Sequence, residues 1–230
     1  MTQDYLKEID VNGELRILFS GGIESALLMG EATESDLDPV PVYVSTGTRW
    51  EEEELSAAKN YLDALRDGLS KSLVVVRCEQ YELNEHWAYG GAEYPKEGSD
   101  ANELRIPDRN RMLLSGAANI GNGSAPLSLV IGTTADNPFE DGKPDYFAEI
   151  EKKLSSQLRR NVRVFAPLIS LVKKEVIKRG ARFPLHLTLS CIAPVYGKAC
   201  GICIKCAARE SAFKEAGYNI KIESEEIDGS

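Results

Sequence analysis

Residues able to do chemistry gather at two places in this chain. Near the C-terminus, Cys191, Cys200, Cys203 and Cys206 fall in one short span with the spacing C-x8-C-x2-C-x2-C. Four thiolates suit a tetrahedral Zn2+ ion with Zn–S bonds of about 2.3 Å, and such a closed set is structural because it leaves no open coordination position. An iron–sulfur cluster is the metal alternative, since four cysteines serve it too. Gly201 sits between two of the ligands, where the chain has to reverse tightly. Near the N-terminus, the apolar run Leu15 to Phe19 is followed by Ser20-Gly21-Gly22-Ile23-Glu24-Ser25. Two glycines let the backbone approach an anion, two serines add hydroxyl donors, and a following helix presents free N–H groups and its positive end. That equipment holds a pyrophosphate. The turn carries neither the Walker pattern G-x-x-x-x-G-K-[ST] nor the dinucleotide pattern G-x-G-x-x-G. Only His86 and His186 occur, which argues against a Ser-His-Asp triad or a histidine-rich metal centre.

The elements that must position these residues alternate regularly. Strands are expected at 15–19, 40–44, 73–77, 127–131 and 163–165. Helices are expected at 25–34, 51–66, 109–120, 145–159 and 171–179, the last closed by Gly180. Residues 80 to 103 read as a polar, Gly-rich loop, and Cys78 as a small core residue beside the third strand. The alternation predicts an α/β fold with a Rossmann-like doubly wound parallel sheet, ligands gathering at the carboxyl ends of its strands. The expected division is an α/β domain carrying the glycine turn over 1–185, a four-cysteine zinc subdomain over 186–222 and a frayed tail over 223–230.

Composition narrows the function classes. A net charge of −9 argues against broad binding to nucleic acid. No stretch approaches the ~20 apolar residues that cross a bilayer, and the first residues carry no signal-peptide pattern, so a cytoplasmic protein is expected. Residues 150 to 182 are locally basic, which reads either as solvated helix faces or as a surface for phosphates or an acidic partner. The run Glu51 to Glu54 reads as a charged helix N-terminus, with Mg2+ ligation as the alternative.

The motif S-G-G-x-[DE]-S after the first strand resembles the PP-loop of the ATP pyrophosphatase superfamily, with Glu24 where that superfamily usually has Asp. Taken with Ser190, Cys191, Cys200, Gly201, Cys203, Cys206, Arg209, Ala212 and Phe213 near the end, the chain resembles the 7-cyano-7-deazaguanine synthase (QueC) family. Ile106-Pro107-Asp108-Arg109-Asn110 is similar to that family's V-P-x-R-N turn, and Ala166-Pro167-Leu168 with Lys173 and Glu175 to its T-P-L…K-x-E segment. The resemblance runs over nearly the whole chain in matching order.

It implies an ATP-dependent ligase that adenylates the carboxylate of 7-carboxy-7-deazaguanine and converts it with ammonia to the amide and then the nitrile. Ser20, Gly21, Gly22, Ile23, Glu24, Ser25 and Gly132 would hold ATP and Mg2+, and Arg109, Lys173 and Glu24 would serve catalysis. A homodimer is also implied. Two stretches depart from the family. Its aromatic-Gly-Gln-Arg-His segment is Thr46-Gly47-Thr48-Arg49-Trp50 here, and its substrate-side segment is 136–145, where only Asp136, Pro144 and Asp145 match. A paralogue that stops at the amide, or transfers the acid to another amine such as one on a protein, is therefore an alternative, as is a non-catalytic nucleotide-binding protein.

Overall fold

The computed structural model describes residues 4–9, 13–35, 37–65, 69–78, 85–121 and 123–218. The expected tail at 223–230, residues 219–222 of the zinc subdomain and Arg66 of the second expected helix lie outside the described residues. Five strands, β1 (Glu14–Leu18), β2 (Val40–Ser45), β3 (Val74–Arg77), β4 (Leu127–Val130) and β5 (Val162–Phe165), form one sheet in the order β3-β2-β1-β4-β5. Every pairing is parallel, with Arg16 opposite Val40 and Glu14 opposite Leu127. The chain therefore builds outward from β1 in one direction, then returns to build in the other. The crevice at that reversal, between β1 and β4, is where such sheets bind ligands.

The helices are α1 (Asp4–Lys7), α2 (Ile23–Thr33), α3 (Glu51–Ala64), α4 (Arg109–Ala118), α5 (Pro144–Leu158), α6 (Lys173–Arg179) and α7 (Ile204–Ala216). They cover both faces because the central strands are apolar on both sides. Leu15, Ile17 and Phe19 pack with α2, α3, α6 and α7, while Leu18, Val42, Val44, Leu127 and Leu129 pack with α4 and α5. Cys78 is half-buried against the second of these cores.

Arg16 is the exception to the apolar strand. It donates to the carbonyls of Ala117 (2.8 Å), Ala118 (3.1 Å) and Ile120 (2.8 Å) and pairs with Glu14. A buried guanidinium thus satisfies the open carbonyls at the C-terminal end of α4, where positive charge is favoured.

Two helix starts differ by two residues from the sequence expectation. The helix after β1 begins at Ile23, not Ser25, so the glycine turn is shorter than expected. The helix expected from Leu171 begins at Lys173. Leu171 instead closes a turn onto Leu168 (2.9 Å) and accepts from the Ala135 amide (2.8 Å), which fastens the segment after β5 to the one after β4.

The basic stretch at 150–182 is largely spent on ion pairs. Arg160 binds Glu14 (3.2 Å), Arg179 binds the buried Glu31 (2.6 Å), Arg182 binds Glu34 (2.7 Å) and Lys153 binds Glu149 (2.5 Å). Arg160 is buried, so the reading of solvated helix faces holds only for part of the segment. No helix among the described residues is long and apolar enough to cross a membrane.

Candidate active site

The turn between β1 and α2 occupies the switch point. Gly21 has φ +74, and a Cβ on it would lie 2.8 Å from the Ala58 amide nitrogen. Only glycine permits both the left-handed backbone and this approach to α3. The Gly22 amide is directed at Ser20 Oγ (3.3 Å), and Ser25 Oγ donates to the Gly22 carbonyl (3.0 Å). Ile23 is fully buried at the first position of α2 and anchors the turn. From the neighbouring strand, Gly132 meets the start of α2, where a Cβ would sit 2.9 Å from Glu24 Cβ. Gly132 therefore brings the segment after β4 against the glycine turn.

Glu24 and Lys173 form an ion pair at 2.7 Å, both largely shielded, with side-chain exposures of 18% and 19%. Burial opposes ionisation of Glu24, but the Lys173 ammonium outweighs it and holds the carboxyl below its usual range. The Lys173 backbone N–H donates to Asp136 (2.7 Å), so α6 is docked onto the loop after β4 at its first residue. Arg109 opens α4 just after Asp108, whose φ of +54 turns the chain sharply there. Asn110 does not cap this helix. Its amide N–H and side-chain nitrogen donate to Asp141 (3.2 and 2.9 Å), a residue more than thirty positions away, which terminates the helix from outside.

Two cavities meet at these residues. The first, about 230 Å3, is lined by Ser20, Gly22, Ser25, Tyr43, Thr48 and Glu54 among others. The second, about 280 Å3, is lined by Ile106, Asp136, Phe139, Lys173, Ile204 and Lys205 among others. Glu24, Arg109, Asn110, Gly132, Thr133 and Asn137 border both. All predicted site residues of the nucleotide end that carry side chains thus stand in or beside one continuous crevice. Arg49 does not join them; it lies over the Tyr94 ring, 5.2 Å from its centroid, and lines neither cavity.

Sequence reasoning missed three groups. Glu54 reaches the first cavity and accepts from the Tyr43 hydroxyl (3.0 Å); burial raises its pKa to about 7 against the pull of Arg109. Its neighbour Glu51 accepts from Ser45 Oγ (2.6 Å) and the Gly47 amide (2.8 Å), shaping the loop after β2. The glutamate run is therefore a helix N-terminus whose members face different tasks. Asn137 bridges Thr133 (3.0 Å) and the Phe139 amide (2.9 Å) on the shared wall. Lys205 enters the second cavity from the cysteine segment, and burial together with Lys173 lowers its pKa to about 8. The signal for Lys205 was its position between two ligands of a metal-type motif.

The four cysteine sulfurs lie within 4.8 Å of one another, with Cys200 and Cys206 at 4.0 Å. Four thiolates around a Zn2+ ion sit at S···S separations of about 3.8 Å, so the donor set and its spacing fit that ion. Cys203 is the most readily ionised, through hydrogen bonds from Cys191 and then Cys206, and a thiolate is what a metal needs. Around the cluster pack Trp50, Trp87, Ile106 and Ile192, with Trp50 and Trp87 stacked at 5.6 Å. Arg209, on α7, donates to Thr188 (2.8 Å) and the Leu185 carbonyl (3.1 Å), tying the helix after the cluster to the segment before it. His86 is structural: its ring accepts from the Ala88 amide and contacts the Arg105 carbonyl, while His186 is exposed away from both cavities.

A glycine turn at the switch point of a parallel sheet, flanked by a buried four-cysteine cluster, defines a PP-loop α/β protein with a C-terminal metal-type site. The chain belongs to the QueC family, whose model, described as queuosine biosynthesis protein QueC, matches residues 15–217. It is similar to the 7-cyano-7-deazaguanine synthase of Geotalea daltonii, 31% identical over 87% of this chain and 92% of that protein. Similar relatives carry the same name in Methanothrix thermoacetophila, at 30% identity over 89% and 96% of the two chains, and in Leptospira interrogans, at 27% over 91% and 90%.

Proposed function

We propose that this protein uses ATP to adenylate the carboxylate of 7-carboxy-7-deazaguanine and converts it with ammonia to the amide and then to 7-cyano-7-deazaguanine. The observation that carries this reading is the meeting of two cavities at Glu24, Arg109 and Gly132, one on the glycine turn and one beside the cysteine cluster. ATP would occupy the first, with its phosphates on Ser20 to Ser25, and the acid the second. Attack of a carboxylate oxygen on the α-phosphorus then falls at the junction, and pyrophosphate leaves with the electron pair of the broken P–O bond.

Arg109 and Lys173 neutralise charge that builds on the transferring phosphoryl group, the electrostatic support that such transfers need. Glu24 would help hold a Mg2+ ion, which would supply further positive charge beside the phosphates. Ammonia displaces AMP to give the amide. Activation of the amide oxygen by a second ATP lets it depart as AMP while the nitrile forms. No protein nucleophile is needed, so the work of the fold is to hold two reactants in line. The four cysteines would carry a structural Zn2+ that shapes the wall of the acceptor cavity.

One observation favours a second reading. A groove between α6 and α7, lined by Lys174, Ala208, Ser211 and Glu215, shares Asp136, Lys173 and Ala208 with the acceptor cavity. An amine larger than ammonia, including one on a protein, could approach the activated acid along it. Mass spectrometry of products from acid, ATP, Mg2+ and ammonium separates the two. Nitrile, lost on Ser20→Ala, supports the first reading. Acyl adenylate or amide as the end point supports the second.

A further inference from the structure

We infer that Lys205 binds the carboxylate of the acceptor, so that the start of α7, between two cysteines of the cluster, supplies a substrate-holding residue. The inference rests on the assignment of the second cavity to the acid. Four charged groups act on the Lys205 ammonium: Lys173, Glu24, Arg109 and Cys203. Of the two anions, Glu24 is already engaged by Lys173 at 2.7 Å, and the Cys203 thiol belongs to the metal cluster. Among the described residues Lys205 makes no ion pair or hydrogen bond. Lys205 is half-buried in the cavity wall, and shielding an ammonium from water without a partner is unfavourable.

Its place in the helix is equally unfavourable. Lys205 is at the second position of α7, whose first turn holds no acidic residue, and positive charge is disfavoured at that end of a helix. Neither folding nor local helix energetics accounts for a lysine here. An anion in the cavity accounts for both, and the start of α7 would add its own attraction for that anion.

The backbone that carries Lys205 is held firmly. Cys203 caps α7 through its sulfur, which accepts from the Cys206 amide (3.4 Å), and the Ile204 amide donates to the Pro95 carbonyl (3.2 Å). Cys203 also bridges to Lys96 across the neighbouring segment. A fixed backbone reduces the ordering needed when the side chain meets its ligand.

The two anions available to Lys205 are the acceptor carboxylate and the α-phosphate of ATP. Arg109 borders both cavities, whereas Lys205 lines the second and not the first. Arg109 therefore suits the phosphoryl group at the junction, and Lys205 the carboxylate behind it. Held through one oxygen, the carboxylate keeps its other oxygen ionised and directed at the α-phosphorus, and no proton is transferred.

The test compares Lys205→Met with wild type for binding of 7-carboxy-7-deazaguanine and of 7-deazaguanine, which lacks the carboxylate, together with the KM for ATP. Loss of one charge-assisted contact predicts acid binding weakened by about tenfold or more, 7-deazaguanine binding unchanged and the ATP KM within about twofold. Lys205→Arg should restore most of the acid binding. Equal weakening toward both deazaguanines, or a raised KM for ATP in place of weaker acid binding, overturns the assignment. If wild type binds the acid but releases no AMP with it, the proposed reaction falls while the binding comparison still decides Lys205. If wild type binds no acid, both fall. Should Lys205→Met lose its metal or fail to fold, Lys205→Gln, which keeps a polar side chain of similar length, takes its place under the same criteria.

Discussion

The two halves of the crevice are built in different ways. The glycine turn on the proposed nucleotide side is one contiguous stretch, Ser20 to Ser25, set by backbone geometry between β1 and α2. The acceptor side is assembled from separate segments: residues around 101–110, the loop at 132–141, Lys173 and the start of α7. Backbone geometry of this kind tolerates little change, because Gly21 and Gly132 are each in contact that a Cβ would violate. Side chains converging from four segments can be exchanged one at a time, each with its own effect on what the cavity accepts. The departures from the family pattern touch both halves: Glu24 with its added methylene and Thr46 to Trp50, of which Thr46 and Thr48 line the first cavity, on one side, and 136–145 on the other.

That contrast predicts a ranking of effects. Gly21→Ala should be the most damaging change, since it combines a left-handed backbone, costing about 1–2 kcal/mol, with a 2.8 Å approach to Ala58. ATP binding measured by calorimetry should be lost and the melting temperature lowered. Unimpaired ATP binding would mean that the turn is not the phosphate site.

Lys173→Met comes next. It removes a cation from the junction and leaves Glu24 uncompensated in a shielded place. AMP release should fall by about 10²–10³, the loss typical of removing one transition-state donor, with ATP still bound. A drop below about threefold would reduce Lys173 to a structural partner of Glu24.

Glu54→Gln should have the smallest effect and a defined pH dependence. Because the folded protein raises this carboxyl to about 7, its contribution to stability is complete below the unfolded value near 4.5 and is lost as pH rises through 7. Glu54→Gln should therefore be close to neutral at pH 5 and stabilising by of order 1–2 kcal/mol at pH 8. Denaturant titrations at the two pH values check this, and equal effects at both would contradict it.

The same contrast explains what could be read from the sequence. All five strands were legible because apolar runs such as LRILF and LVVVR are bounded by turn residues, and the glycine turn and cysteine cluster were legible because each is contiguous. The partner of Asn110 was not legible, because Asp141 lies on a distant loop. Lys205 and Glu54 were missed for the same reason: a lysine inside a cysteine motif and one of four glutamates in a run look like surface charge until the fold brings cavities to them. Start points of α2 and α6 shifted because tertiary contacts, Gly132 against Glu24 and Ala135 with Leu171, decide where those helices begin.

The central claim is that the glycine turn activates a carboxylate held in the neighbouring cavity. Exchange of labelled pyrophosphate into ATP, with Mg2+ and 7-carboxy-7-deazaguanine present and no amine, tests that step most directly. The account predicts exchange that requires the acid and disappears in Lys173→Met. Exchange that proceeds without the acid, or none with an acid that the protein demonstrably binds, would contradict it.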